Sequence, residues 1–383
     1  MVFGLGEERI VRIVFLASSL SAGGAERVAS TLCNAWVARG DSVTLIPTFS
    51  GGGSPFYPLD SRVDLVYLAS AVRGNGKTPL GYLKRLLALR RLICARKPDV
   101  VISFLSNVNV SAVIATGGLK IPLLICERTD PSVMPMSKSL LLATQLFYRF
   151  ADVLVVQTQA VALKVASIFP GLKSIRSIAN PVPEDVFLLS RQESGNARKI
   201  LLSLGRITDE KQVHLIVEAF LKIHNQFKDW DLHIYGDGPV KAMLEKIVQE
   251  SGVTNRIFLK GNTTAPWSVM SGADAFVMAS KVEGFPNALL EAMAIGLPCV
   301  SFDCPSGPRD ISNNGEYALL VPAGDVAGLS TALGNLFGDE KLRLELGRKA
   351  RLSIKERYTL TTVLAQWDAL FGEVGVIHKE AMT

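Results

Sequence analysis

Apolar runs four to seven residues long alternate with stretches of helical periodicity along most of this chain, and that alternation admits few folds. In the first half the runs fall at residues 11–17, 43–47, 100–104, 123–126 and 153–156, with helical patterns at 25–39 and 80–96. A run that is apolar throughout belongs to a strand covered on both faces, and strands separated by helices pair in parallel. The pattern breaks near residues 180–198, where Pro181 and Pro183 precede a polar run, and a linker is expected there. A second series follows, with strands expected at 200–204, 231–235, 256–259, 275–278, 298–302 and 318–321. A chain of 383 residues exceeds a single hydrophobic core. The expected fold class is α/β, with two Rossmann-like domains at 1–185 and 186–358 and a final segment at 359–383.

Composition narrows the function classes. Hydrophobic residues make up 48% and charged residues 20% of the chain, which argues for a globular protein and against disorder. Cys33, Cys94, Cys126, Cys299 and Cys304 are odd in number and lack zinc spacing, so a reducing cytosol fits best. Arg9 and Arg12 before the apolar start imitate a secretory leader, but Glu7 and Glu8 spoil its positive region. No stretch reaches the roughly 18 apolar residues of a membrane span, so a soluble or peripheral protein is expected. Residues 1–189 carry 20 Lys and Arg against 12 Asp and Glu, whereas the remainder carries 21 against 23. The basic half implies an anionic partner: nucleic acid, phosphate or a membrane surface.

Strand 11–17 runs into Ser21-Ala22-Gly23-Gly24-Ala25-Glu26-Arg27, which opens a helix. Glycines there either let a phosphate approach the free N–H groups of the helix start or only permit a tight turn. The run does not match the dinucleotide fingerprint, so no nicotinamide cofactor is implied. In the second half, Leu204-Gly205-Arg206 closes a strand and Lys211 follows just before a helix at 213. Two cations at the carboxyl end of a parallel strand suit a diphosphate, although they also read as ordinary surface charges.

The most informative run is Glu283-Gly284-Phe285-Pro286-Asn287-Ala288-Leu289-Leu290-Glu291, with two carboxylates eight residues apart. Pro286 suits the first turn of a helix, so Glu283 is expected to project from the loop and Glu291 to lie about one turn in, lining a groove. As a purely structural group, Glu291 would only complement the helix dipole.

With Gly205-Arg206 and Lys211 on the first strand of the second half and Gly23-Gly24 in the first, this run resembles retaining glycosyltransferase family four over nearly the whole chain. The resemblance implies a GT-B fold, with two parallel sheets facing across a cleft and a C-terminal helix packing back on the first domain. It implies that Arg206 and Lys211 hold the donor diphosphate, Glu283 faces the sugar hydroxyls and Glu291 binds the ribose. Backbone groups of Phe285, Pro286, Asn287, Ala288 and Leu289, with Gly284, would line the sugar and phosphates, and Gly23 and Gly24 would admit the diphosphate. Glu283, Arg206 and Lys211 would be the catalytic set. The acceptor hydroxyl would attack the face from which the nucleotide leaves, a β-phosphate oxygen would take its proton, and neither metal nor cofactor would be required.

One departure from the family concerns a histidine often found after the strand at 123–126. Here the run is Cys126-Glu127-Arg128-Thr129-Asp130, and no histidine precedes His214. Arg128 either takes up a phosphate or sugar contact or forms an ion pair with Asp130 or Glu127. Asp229-Trp230-Asp231 imitates a metal-binding D-x-D, but it starts a strand, away from the ligand edge.

Between residues 77 and 97 lie Lys77, Lys84, Arg85, Arg90, Arg91, Arg96 and Lys97 and no acid. Interleaved leucines make this an amphipathic helix, suited to an anionic lipid surface through Lys84, Arg85 and Arg91, or else a solvated face. With few aromatic residues among the cations, nucleic acid is a poor partner. This helix, the Gly23-Gly24 run and Pro305-Ser306-Gly307-Pro308-Arg309-Asp310 look like the bacterial branch that adds hexoses or N-acetylhexosamines to polyprenyl-diphosphate acceptors. The expected function is transfer of a sugar from a UDP-sugar to a lipid-diphosphate-linked glycan of surface polysaccharide, lipopolysaccharide or glycoprotein, at the inner face of the cytoplasmic membrane. A UDP-sugar 2-epimerase of the same architecture and a noncatalytic nucleotide-sugar sensor are the alternatives.

Overall fold

A computed structural model describes residues 10–72, 78–134, 136–191 and 198–376. Contacts divide the chain into two units, residues 1–181 with 361–383, and residues 182–360. The division falls at Pro181 and Val182 rather than at residue 185. The short helix Glu184–Leu188 belongs to the second unit, where Arg351 Nη2 donates to Phe187 O at 2.7 Å and Arg351 Nη1 to Leu189 O at 2.5 Å. Val182 N–H also donates to Tyr358 O at 2.8 Å.

The first unit is built on seven parallel strands: β1 (Arg12–Ala17), β2 (Ser42–Pro47), β3 (Asp64–Leu65), β4 (Val100–Phe104), β5 (Leu123–Cys126), β6 (Val153–Val156) and β7 (Ile175–Ser177), in the order β3-β2-β1-β4-β5-β6-β7. Ile13 and Phe15 enter one apolar layer and Val14 and Leu16 the other, because successive side chains of a strand point to opposite faces. Strands β3 and β7, at the two edges, are two and three residues long, too short to announce themselves by pattern.

The C-terminal helix Leu360–Glu373 supplies Val363, Trp367, Leu370 and Phe371 to the layer holding Ile13 and Phe15. Trp367 and Phe371 each lie 5.9 Å from the Trp36 ring, and Arg39 forks onto Asp368 with two 2.7 Å hydrogen bonds.

In the second unit the strands are β8 (Lys199–Leu204), β9 (Trp230–Tyr235), β10 (Ile257–Gly261), β11 (Ala275–Met278), β12 (Cys299–Asp303) and β13 (Leu319–Pro322), ordered β10-β9-β8-β11-β12-β13 and all parallel. The order reverses between β8 and β11, and in open α/β sheets ligands bind beyond the carboxyl ends of strands at such a switch point. Asp231, at the opposite end of β9, is held by Arg198 at 2.6 and 2.7 Å and by Arg256 at 2.8 Å, while Asp229 pairs with Lys199 at 3.0 Å. No helix among the described residues is long and apolar enough to cross a membrane.

Candidate active site

The loops following β8 and β11 carry the second unit's predicted site residues. After β8 the chain passes Gly205 and Arg206 into a single 3-10 turn, Asp209–Lys211, and then the helix Val213–Ile223. Arg206 is exposed. Gly236 and Gly238, in the loop after β9, support this turn: Ile207 N–H donates to Asp237 O at 2.8 Å, and a Cβ on Gly236 would collide with the Gly205 carbonyl. These two glycines were legible in the sequence as a G-x-G after a strand, and their supporting role was missed.

The loop after β11 leads to the helix Asn287–Ile295, with Pro286 in the capping position, one residue before the first turn in which the sequence placed it. Lys281 N–H donates to Glu210 O at 2.8 Å, tying this loop to the turn after β8. Glu283 does not project freely. Its Oε1 accepts from the Lys211 ammonium and from Ser280 Oγ, the latter at 2.6 Å, so the side chain is about 10% exposed. Glu291 lies in the second turn of the helix and is buried, at 3% exposure.

Residues from two further segments, 306–311 and 357–358, hold this loop. Ser306 Oγ donates to Gly284 O at 2.9 Å. Gly307, at φ +95°, packs where any Cβ would overlap Pro286, and the Phe285 ring meets Tyr358 edge-on at 5.6 Å. Arg357 Nη1 donates to Asp310 O at 3.0 Å and Nη2 to Ile311 O at 2.6 Å. Thus the segment 305–310 buttresses the E-G-F-P loop directly. Cys304, beside it, has its thiol pushed up to about 12 by burial and then by the Glu283 charge, and so behaves as a neutral packing group.

In the first unit, Gly23 caps the helix Gly24–Ala38 without a side-chain hydrogen bond. Glu26 folds back beside it and accepts from Ser19 Oγ at 2.9 Å. Arg128 is 7% exposed, and it pairs with neither Asp130 nor Glu127. Asp130 is engaged by Lys164 at 3.0 Å. Glu127 accepts from Ser106 Oγ at 2.9 Å and from Tyr148 OH, and burial raises its pKa to about 7 against these stabilising bonds. Arg128 instead lies over the Phe104 ring, 4.3 Å from its centroid, and donates Nη2 to Asn180 Oδ1, while its buried Nε has no hydrogen-bond partner.

The basic helix spans Pro79–Arg96, with Thr78 capping it and Pro79 at its first position. Lys77 lies outside the described residues. Lys84 and Arg91 are exposed, together with Leu80, Leu83 and Leu87. Arg85 departs from that face: it donates to Thr48 O and lies over the Phe49 ring at 5.5 Å. Arg90 and Arg96 are likewise tied, to Ala115 O at 2.9 Å and to Asp64 at 2.9 Å.

Comparison with known proteins adds a second line of evidence. Residues 188–353 match the family model "Glycosyl transferases group 1", and residues 23–180 match "Glycosyl transferase 4-like domain". The chain is 26% identical to an exopolysaccharide phosphotransferase of Streptomyces coelicolor over 92% of this chain and 39% of that one. It is also 26% identical to a Campylobacter jejuni alpha-1,4-N-acetyl-D-galactosaminyltransferase acting on a diNAcBac-PP-undecaprenol-linked glycan, over 95% of this chain and 99% of that one. Among solved structures, the Anabaena protein HepE in complex with UDP superposes with TM-score 0.80 at 17% identity, covering 95% of this chain and all of the other.

Proposed function

Given that the chain belongs to the group 1 glycosyl transferases and has the GT-B fold, we propose that it moves a hexose or N-acetylhexosamine, with retention, from a UDP-sugar to a lipid-diphosphate-linked glycan of the bacterial cell surface. The observation that carries this reading is the meeting of Lys211 and Glu283 at the switch point of the second sheet. A cation and a carboxylate held at one place match the two needs of the reaction, a departing diphosphate and an electron-poor sugar carbon.

When donor binds, its diphosphate competes for Lys211 and takes Arg206 as well, which releases Glu283 to the sugar hydroxyls. The bond from C1 to the β-phosphate oxygen breaks, and the acceptor oxygen bonds to C1 on the same face. Its proton passes to a β-phosphate oxygen. Arg206, Lys211 and the N–H groups opening the helix Asn287–Ile295 neutralise the charge on the leaving UDP, so no metal is required. Glu291 holds the ribose, and the backbone from Gly284 to Leu289 lines the sugar and phosphates. The acceptor class is supported by the Campylobacter relative's activity on an undecaprenyl-diphosphate-linked glycan and by the exposed Leu80, Leu83 and Leu87 beside Lys84 and Arg91, a face suited to the inner leaflet of the cytoplasmic membrane.

Mass spectrometry of UDP-sugars incubated with membrane-extracted lipid-linked oligosaccharides, with and without EDTA, tests this reading. Acceptors heavier by one sugar, formed equally under chelation, are expected. Interconversion of UDP-N-acetylhexosamines without acceptor would make the protein an epimerase, and metal-reversible loss of transfer would overturn the metal-free chemistry.

A further inference from the structure

Arg128 stands just past the carboxyl end of β5, and it is the residue whose surroundings the proposed chemistry least accounts for. The residue is 93% removed from solvent, and among the described residues its buried Nε has no hydrogen-bond partner and no carboxylate pairs with it. Both neighbouring acids are otherwise engaged, Glu127 by Tyr148, Ser106 and Asn109 and Asp130 by Lys164. The Phe104 ring at 4.3 Å orients the guanidinium but does not neutralise it. Burial pulls its pKa down only to about 10, so it stays charged at neutral pH.

A buried charge is costly unless it is paired, so a retained guanidinium with no carboxylate partner marks a place for an anion that the described residues do not supply. The surroundings indicate which kind. Gln157 Nε2 donates to the same Asn180 Oδ1 that receives Arg128 Nη2, at 3.1 Å, and both residues are buried. Gln157 directly follows Val156, the last residue of β6, and precedes Thr158, which caps the helix Gln159–Ile168. A planar fork of donors, an amide and a helix start at the carboxyl ends of two adjacent parallel strands match the oxygens of a phosphoryl group.

We propose that Arg128, with Gln157 and Asn180, forms a receptor in the first unit for a phosphoryl group of a diphosphate. The proposal deepens the transferase reading and rests on it for the identity of the diphosphate, which belongs either to the nucleotide donor or to the lipid-linked acceptor.

Calorimetric titration of the full chain with inorganic pyrophosphate tests it. Arg206→Met with Lys211→Met removes the second unit's cations, and Arg128→Met is then added to that background. Pyrophosphate binding that survives the double substitution is expected to weaken by roughly 10- to 100-fold in the triple variant. Arg128→Lys, which keeps the charge and loses the fork, should weaken it less. In the otherwise native chain, a rise in the UDP dissociation constant on Arg128→Met assigns the donor. A rise in KM for a diphosphate-linked acceptor, with UDP affinity unchanged and no change for the same glycan on a neutral lipid, assigns the acceptor. Equal pyrophosphate affinity with and without Arg128, in variants of unchanged melting temperature, overturns the proposal. Arg128-dependent pyrophosphate binding in a chain that transfers no sugar leaves the receptor standing and removes the transferase reading instead.

Discussion

Lys211 and Glu283, 72 residues apart in sequence, are joined by an ion pair that links the turn after β8 to the loop after β11. If the donor exchanges this pair for its own contacts, the two side chains are coupled in the free enzyme and act separately in the complex. Glu283→Gln is expected to lower kcat by about 10²- to 10³-fold while leaving UDP affinity within a few-fold. Lys211→Ala should weaken UDP binding as well as turnover, and Glu291→Ala should act chiefly on UDP affinity. Steady-state transfer assays beside UDP calorimetry separate these effects. Native kinetics in Glu283→Gln and Glu291→Ala together would displace the site.

The second prediction concerns Gly307, which combines φ +95° with a close approach to Pro286 and the backbone of Gly284 and Phe285. Gly307→Ala strains the backbone by about 1–3 kcal/mol and displaces the loop that carries Glu283. Urea unfolding should show the lower stability, and transfer activity should fall further than the stability loss alone explains. Retention of full activity would separate segment 305–310 from the site.

On the basic helix, Lys84 and Arg91 share the exposed face with Leu80, Leu83 and Leu87, whereas Arg85 is turned to Thr48 and Phe49. At about 1 kcal/mol for each cation at an anionic surface, Lys84→Glu with Arg91→Glu should weaken vesicle binding by roughly 30-fold or more at low salt. The effect should fade as salt screens the surface, and UDP affinity should not move. Co-sedimentation with phosphatidylserine-containing vesicles at several salt concentrations is the measurement; an unaltered bound fraction would return the helix to a solvated face.

Buried Glu127 makes stability depend on pH. Its pKa in the folded chain is raised from 4.5 to about 7, first by burial. The folded state therefore holds a proton that the unfolded state has released, and the associated stability is complete below about pH 4.5 and lost as pH rises through about 7. Relative to Glu127→Gln, the native chain should lose about 3 kcal/mol across that window. Urea unfolding of both proteins from pH 4.5 to 8 gives the difference, and parallel curves would show that Glu127 does not hold the proton. Tyr148, Ser106 and Asn109, which contact this carboxylate, are the positions where second substitutions should alter the slope.

The sequence by itself determined the two parallel sheets, since a strand buried on both faces is apolar along most of its length, and eleven of the thirteen strands among the described residues were legible from such runs alternating with helical stretches. It also determined where the E-x7-E helix begins, because Pro286 suits a helix start and little else nearby does. Edge strands β3 and β7 escaped because two or three residues hold no periodicity. What only the tertiary structure decided is where charges go. Glu283 reads as a projecting carboxylate until the turn after β8 brings Lys211 to it, and Arg85 reads as one more surface cation until Phe49 and the Thr48 carbonyl draw it inward. Arg128 reads either as a phosphate or sugar contact or as half of a local ion pair, and only the fold shows that Glu127 and Asp130 are each claimed by residues from other segments. A side chain's partner depends on groups that are distant in sequence and near in space, and no local spacing encodes it.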